Sequence, residues 1–276
     1  MTANQTQATQ ENPNKLNLVE VADYRRRIRA NQERVWENVM DWEHLPHLHH
    51  TNFRYAELDD AGDWGWRIWS AEDHHSHVEL CYDLPNNRYV ARSYQGARQV
   101  SEIWTIVTPV ENETDIEVRF LVPDVEEAKV ASVGEFFRTL YTTLWNEDEE
   151  MMIERQNQLD GQSERYPLER ELGYEDEVLA SLPLYVNLKG GRYRLIAVDG
   201  QLKAHSTTCP HILGPLDSEV VDNKITCPWH GYQFDLDSGE CVVPANATCR
   251  LSKAPAITIS DDDRPRIKVG FSRTGS

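Results

Sequence analysis

The sequence predicts an α+β chain in two parts, a curved antiparallel sheet around a long C-terminal helix and then a small all-β domain. Three observations lead there. Several strand-like runs follow one another between Phe53 and Val122. A long helical stretch, Glu126 to Gln158, closes that part. Beyond it, short apolar runs alternate with Gly190-Gly191 and Asp199-Gly200, dipeptides typical of hairpin turns.

In chain order, Val19–Ile28 reads as a strand and Gln32–Glu43 as a helix stopped by Pro46. Strands follow over Phe53–Leu58, Trp64–Trp69, His77–Tyr82, Tyr89–Tyr94, Gln99–Val107 and Asp115–Val122, and then the long helix. A strand, a short helix, antiparallel strands and a long helix fit a sheet gripping that helix around an internal cavity. Trp64, Trp66, Trp69, Tyr82, Tyr94 and Trp104 are candidates to line it, although strand alternation sends some of them to the other face. This first domain covers 15–160. Gly161–Glu177 is charged and weakly periodic and reads as a linker. Leu184–Leu188 and Tyr193–Val198 open the all-β domain, 178–271, with 272–276 as a tail. Met1–Asn14 is polar, lacks the apolar core of a signal peptide, and reads as a disordered tail on a cytoplasmic protein.

Composition narrows the partners. Of 276 residues, 28 are Lys or Arg and 46 are Asp or Glu, a net charge of −18. Such a surface repels phosphate backbones and anionic lipids, so neither nucleic acid nor a membrane surface is an expected partner. A basic electron-transfer protein suits it better. No apolar run approaches the length of a membrane span. Five cysteines, an odd and sparse set, do not make a disulfide scaffold.

Two of those cysteines stand in a compact pattern. Cys209-Pro210-His211 is followed by Cys227-Pro228-Trp229-His230. Two arms that each supply a thiolate and an imidazole suit either zinc or a two-iron, two-sulfur cluster in which one iron takes the thiolates and the other the imidazoles. CPHILGPL and CPWHGYQFDLDSGE resemble the two cluster loops of Rieske proteins. That resemblance covers about the last ninety residues and implies a Rieske [2Fe-2S] cluster on Cys209, His211, Cys227 and His230. Gly214 and Pro215 would let the first loop fold over the cluster, and Gly231 would permit close backbone approach to a sulfide. The extra loop cysteines of high-potential respiratory members are missing here. Cys81, Cys241 and Cys249 match no motif and read as ordinary thiols.

The first domain offers a second constellation. In ENVMDWEHLPHLHH, Asp41 and His44 are three apart, one helical turn, and Pro46 can turn His49 back toward the same centre. Two histidines and a carboxylate make the facial triad of a non-haem iron(II) site. Asp148 lies on the stripe Phe137, Leu140, Leu144, Met151, Met152 of the long helix, with Glu147 slightly off it as the second choice. His47 and His50 could substitute for His49 but read as neighbours, and His74, His75 and His77 read as a solvated hairpin tip.

ENVMDWEHLPHLH and WNEDEEMMIERQ resemble the catalytic domain of Rieske non-haem iron oxygenases, whose sheet-and-helix architecture is the helix-grip fold. The resemblance implies His44, His49 and Asp148 as ligands of mononuclear Fe(II). It implies Asp41 as the catalytic carboxylate linking His44 to a Rieske histidine, usually on a neighbouring subunit of a trimer. This sequence departs from the family in domain order, with the catalytic domain first. The resulting expectation is a mono- or dioxygenase that oxidises a small, largely apolar organic substrate with dioxygen. A separate NAD(P)H-dependent reductase or ferredoxin would supply electrons, since the chain has no G-x-G-x-x-G fingerprint. The alternative from another class is a Rieske ferredoxin fused to a helix-grip binding domain, without oxygen chemistry. VWENVMDWEHLP also resembles the first helix of non-metal helix-grip proteins.

Overall fold

The computed structural model describes residues 16–161 and 164–272. The tail expected at Met1–Asn14 lies outside the described residues, as does most of that at 272–276. The chain forms two compact units. Of the described residues, one unit comprises those up to Ile28 and Tyr55–Leu144; the other comprises Arg29–Arg54 and those from Trp145 onward.

The first unit is a seven-stranded antiparallel sheet and the N-terminal half of a long helix. Its strands are β1 (Leu18–Ile28), β2 (Glu57–Gly62), β3 (Gly65–Trp69), β4 (Ser76–Asp83), β5 (Arg88–Gln95), β6 (Arg98–Val110) and β7 (Glu113–Pro123). β2 to β7 run as a meander and β1 pairs with β7, giving the order β1-β7-β6-β5-β4-β3-β2. Period-two alternation explains the burial of β7: Thr114, Ile116, Val118 and Phe120 are buried while Asp115, Glu117 and Arg119 between them are not. The buried face receives the long helix, as Phe120 stacks on Phe137 at 5.1 Å and meets Tyr141 edge-on at 4.8 Å. The opposite face carries exposed ion pairs such as Arg27–Asp115 at 2.7 Å, which contribute little stability but keep that face wet.

Register settles which aromatic candidates face the helix. Ile103 pairs with Phe120 and Thr105 with Val118, Tyr89 with Thr105, Tyr82 with Tyr89, and Trp66 with Leu80 beside it. Directly paired residues share a face, so Trp66 and Tyr82 lie on the helix side. Trp69, His77 and Tyr94 share the other face, where His77 stacks on Tyr94 at 4.5 Å. Trp104 is also there, with Arg88 over its ring. Trp64 sits in the turn between β2 and β3. The first meander strand is β2, Glu57–Gly62, later than the expected Phe53–Leu58. It is an exposed edge strand, where acidic residues are tolerated and no apolar alternation marks it.

The second unit begins with α1 (Gln32–Met40) and α2 (Leu45–Leu48). Asn31 caps α1 by accepting from Arg34 N at 3.0 Å. The helix stops at Met40, short of the expected Glu43, because Asp41 is extended and accepts from Glu43 N at 3.1 Å, a local Asx turn. Pro46 stands in the first turn of α2 and so begins a helix where the sequence had suggested it ends one.

The long helix α3 (Glu127–Gly161) ends in this unit. Beyond it come β8 (Glu169–Tyr174), α4 (Glu175–Ala180), β9 (Leu184–Leu188), β10 (Gly191–Val198), β11 (Gln201–Ser206), β12 (Lys224–Thr226), β13 (Gln233–Asp235), β14 (Cys241–Val243), β15 (Ala256–Ile259) and β16 (Arg266–Gly270). They form three small sheets, β11-β10-β9, β12-β13-β14 and β15-β16-β8. The expected linker Gly161–Glu177 is therefore largely structured, since β8 pairs with β16. Its apolar signal is weak because the ladder is held at its surface by charge, Lys268 with Glu169 at 2.8 Å and Arg266 with Glu171. Two apolar cores support these sheets, one around Leu188, Tyr193, Leu195 and Ile267, the other around Leu216, Ile225, Trp229 and Phe234. Among the described residues, no helix is long and apolar enough to cross a membrane.

Candidate metal centres

Both constellations lie within the second unit. The first is carried by the loops that follow β11 and β12. Cys209 and Cys227 are buried at 1% exposure each, and His230 at 4%. The loop backbones fold back on themselves: Cys209 N donates to Gly214 O at 2.7 Å and Cys227 N to Tyr232 O at 2.8 Å. A Cβ on Gly214 would lie 2.9 Å from Cys227 Sγ and 2.8 Å from the Trp229 ring, so only glycine lets the first loop close over the second. Gly231 has φ +67°, and a Cβ there would lie 2.3 Å from the His47 ring. The close approach that Gly231 permits within the chain is thus to His47.

The His211 and His230 ring centroids are 4.6 Å apart. Nδ1 of each is buried without a hydrogen-bond partner. Two such orphans are costly unless something binds them. Burial, then the neighbouring His230, pushes His211 down to about 4, which keeps it in the neutral form that ligates metals. His230 donates from Nε2 to Asp41 Oδ2 at 2.6 Å, which leaves Nδ1 as the ring atom open to a metal. Two buried thiols beside two orphaned imidazole nitrogens fit a cluster that needs two sulfur and two nitrogen ligands.

Residues 169–255 match the Rieske [2Fe-2S] domain. No curated protein matches the chain. Among solved structures, a START superfamily protein from Mycobacterium smegmatis is similar at 17% identity over 47% of this chain and 97% of its own, with TM-score 0.38. Norcoclaurine synthase from Thalictrum flavum is similar at 14% identity over 56% of this chain and 98% of its own, with TM-score 0.38. With the Rieske match and two thiols beside two imidazoles in its loops, reduced protein is expected to give a rhombic Rieske-type electron paramagnetic resonance signal. A colourless protein holding only zinc, after anaerobic preparation with iron supplied, would exclude the cluster.

The second constellation gathers residues from α2, its flanks and α3. His44, His49 and Asp148 are buried at 3%, 1% and 8% exposure, and one ligand atom from each lies within 4.8 Å of the others. Asp148 Oδ1 is 3.0 Å from His49 Nε2 and 3.6 Å from His44 Nε2. Outer groups hold these three. His49 Nδ1 donates to Glu147 Oε2 at 2.6 Å, and Asn38 Nδ2 donates to Asp148 Oδ1 at 2.9 Å. His44 Nδ1 has no hydrogen bond, and Asp41 Oδ2 lies 3.6 Å from it. Burial lowers the His49 pKa, but the hydrogen bonds to Asp148 and Glu147 outweigh it and hold the ring above its ordinary value.

Asp41 stands between the two constellations. Burial raises its carboxyl, yet the hydrogen bond from His230 and the nearby His44 bring it well below the usual carboxylate range. It therefore stays charged in a site where an unpaired carboxylate would be expensive. The resemblance implied a link to a neighbouring subunit; here Asp41 meets His230 of its own chain. Asp41 and His44 also come together differently from the reading of one helical turn, across the Asx turn that ends α1.

Sequence reasoning missed the outer partners. Asn38 reads as a helix residue, and Glu147 reads as a rival to Asp148, whereas it holds the far side of the His49 ring. Tyr232, which stacks on His211 at 4.2 Å, had no signal beyond lying two residues after His230. His50 is exposed; His74 and His75 occupy the exposed turn before β4, and His77 lies on the strand itself.

Proposed function

We propose that this chain is a Rieske-type non-haem iron oxygenase. One observation carries the reading: a buried group of two imidazoles and one carboxylate lies one side chain, Asp41, from a histidine of the Rieske domain. A buried carboxylate among imidazoles is the donor set of a non-haem iron(II) site with open positions. The orphaned Nδ1 of His44 and the short carboxylate contact on His49 Nδ1 leave Nε2 of both rings directed at Asp148.

His44, His49 and Asp148 would hold the iron. Glu147 fixes the tautomer and orientation of His49, and Asn38 fixes the Asp148 oxygen, as outer partners of metal ligands do. When bound, the iron would supply activation of dioxygen and oxidation of a small, largely apolar organic compound, while the cluster supplies single electrons. Asp41 accepts from His230 and faces His44, so it joins the two ligand sets through side chains of one chain. His211, the more exposed cluster histidine, lines a cavity of about 340 Å³ with Trp42, Arg155 and Ile212. An external NAD(P)H-linked reductase or ferredoxin would reach the cluster there, and a basic partner surface would suit the net charge of −18.

Iron content tests the reading. Protein loaded anaerobically with iron and sulfide is expected to hold three irons per chain, two in the cluster and one mononuclear. Two irons per chain, with no substrate-dependent consumption of dioxygen across a panel of apolar compounds, would leave an electron carrier alone.

A further inference from the structure

Cys241 and Cys249, which the sequence marks only as ordinary thiols, face each other across an antiparallel bridge. Glu240 pairs with Arg250, and Leu251 N donates to Gly239 O at 2.8 Å. One step further in this register sets Cys241, the first residue of β14, opposite Cys249. Antiparallel partners have Cα atoms about 4.5–5.5 Å apart, inside the window of about 4.4–6.8 Å that a disulfide spans. The two side chains point the same way, since both pack against the apolar core that contains Cys209, Cys227, Trp229 and Phe234. Cys241 Sγ donates to Val243 O at 3.0 Å, and burial together with the Cys249 neighbour raises the Cys241 thiol above its ordinary value. Cys209 and Cys227 are buried, whereas Cys241 and Cys249 are half-buried.

We infer that Cys241 and Cys249 are a dithiol site that closes to an intramolecular disulfide when a low-molecular-weight disulfide reaches it. The chemistry balances through two exchanges. One cysteine thiolate attacks the oxidant's S–S bond, forms a mixed disulfide and expels one thiol. The second cysteine thiolate attacks the protein-side sulfur of that mixed disulfide, forms Cys241–Cys249 and expels the other thiol. The protein loses two protons and two electrons, and the oxidant becomes two thiols. A dithiol reductant reverses both steps. The inference is independent of the oxygenase reading, because both cysteines lie within the matched Rieske domain.

The test uses the cluster-loaded full chain incubated with oxidised glutathione, followed by alkylation, digestion and mass spectrometry. The expected product is a linked peptide pair containing Cys241 and Cys249, two hydrogens lighter than the reduced pair and restored by dithiothreitol. Thiol titration should fall by two per chain, with Cys81 still alkylated and cluster absorbance retained. Cys241→Ser is expected to stop at a glutathione adduct on Cys249. Stable glutathione adducts on both cysteines of the wild-type chain, or links only between chains, would overturn the inference. If the serine variant fails to hold its cluster, the wild-type peptide map decides alone.

Discussion

Asp148→Ala is expected to leave two irons per chain in place of three, and no measurable substrate oxidation, with the Rieske electron paramagnetic resonance signal unchanged. The carboxylate is the only anionic donor in the buried group, and its Oδ1 is shared by both imidazoles and by Asn38. Without it, only the two imidazoles remain as donors, and the site loses its one negatively charged ligand. Leaving the Asn38 amide unpaired costs about 1–3 kcal/mol, small against the roughly 5–15 kcal/mol that holds a domain together, so the fold should persist. Asp148→Asn keeps the shape and separates loss of charge from loss of volume. Glu147→Gln gives the contrast: it weakens the hold on His49 Nδ1 without removing a donor, and should lower iron affinity by about 10–100-fold while retaining some activity. Iron analysis and dioxygen uptake check all three. Full iron content in Asp148→Ala would remove the mononuclear site from the proposal.

The parts of this molecule legible in the sequence are those set by local chemistry. The Rieske loops were readable because Cys209 and His211, and Cys227 and His230, stand at short fixed spacings with Gly214 and Gly231 close by. The meander was readable because turns recur at hairpin distances and β7 alternates strictly. What escaped depends on partners far along the chain. β8 has no apolar alternation of its own and exists because β16, more than ninety residues later, completes it. The path of the chain from α1 to α2 hid in a side chain: Asp41 ends the first helix by accepting from Glu43 N, which helical periodicity cannot foresee. The choice between Glu147 and Asp148 was visible only as a small difference in helical phase. In the structure the two carboxylates lie on different nitrogens of one His49 ring, Glu147 at Nδ1 and Asp148 at Nε2.

Asp41→Asn is expected to keep both metal centres loaded and yet lower turnover by about 10–100-fold, the range found when partners of ligating histidines are replaced. The amide has nearly the same size and can still accept from His230 Nε2, so cluster and iron should stay bound. It cannot supply the negative charge that faces both His230 and His44. Removing a negative charge beside a cluster ligand favours the reduced cluster, whose own charge is more negative. The reduction potential should therefore rise, and oxidation of a pre-reduced cluster in the presence of substrate and dioxygen should slow. A structural role alone would change metal content and leave the potential of the remaining loaded protein where it was. The same contact decides whether one chain suffices. Co-expressing a variant without the cluster, His230→Ala, with one without mononuclear iron, Asp148→Ala, should restore no activity, because the 2.6 Å contact joins Asp41 to its own chain's His230. In an assembly that passes electrons between subunits, the same mixture would regain activity. Such recovery would take the contact with its own chain's His230 out of the route, and wild-type rates and potential in Asp41→Asn would take Asp41 itself out of it.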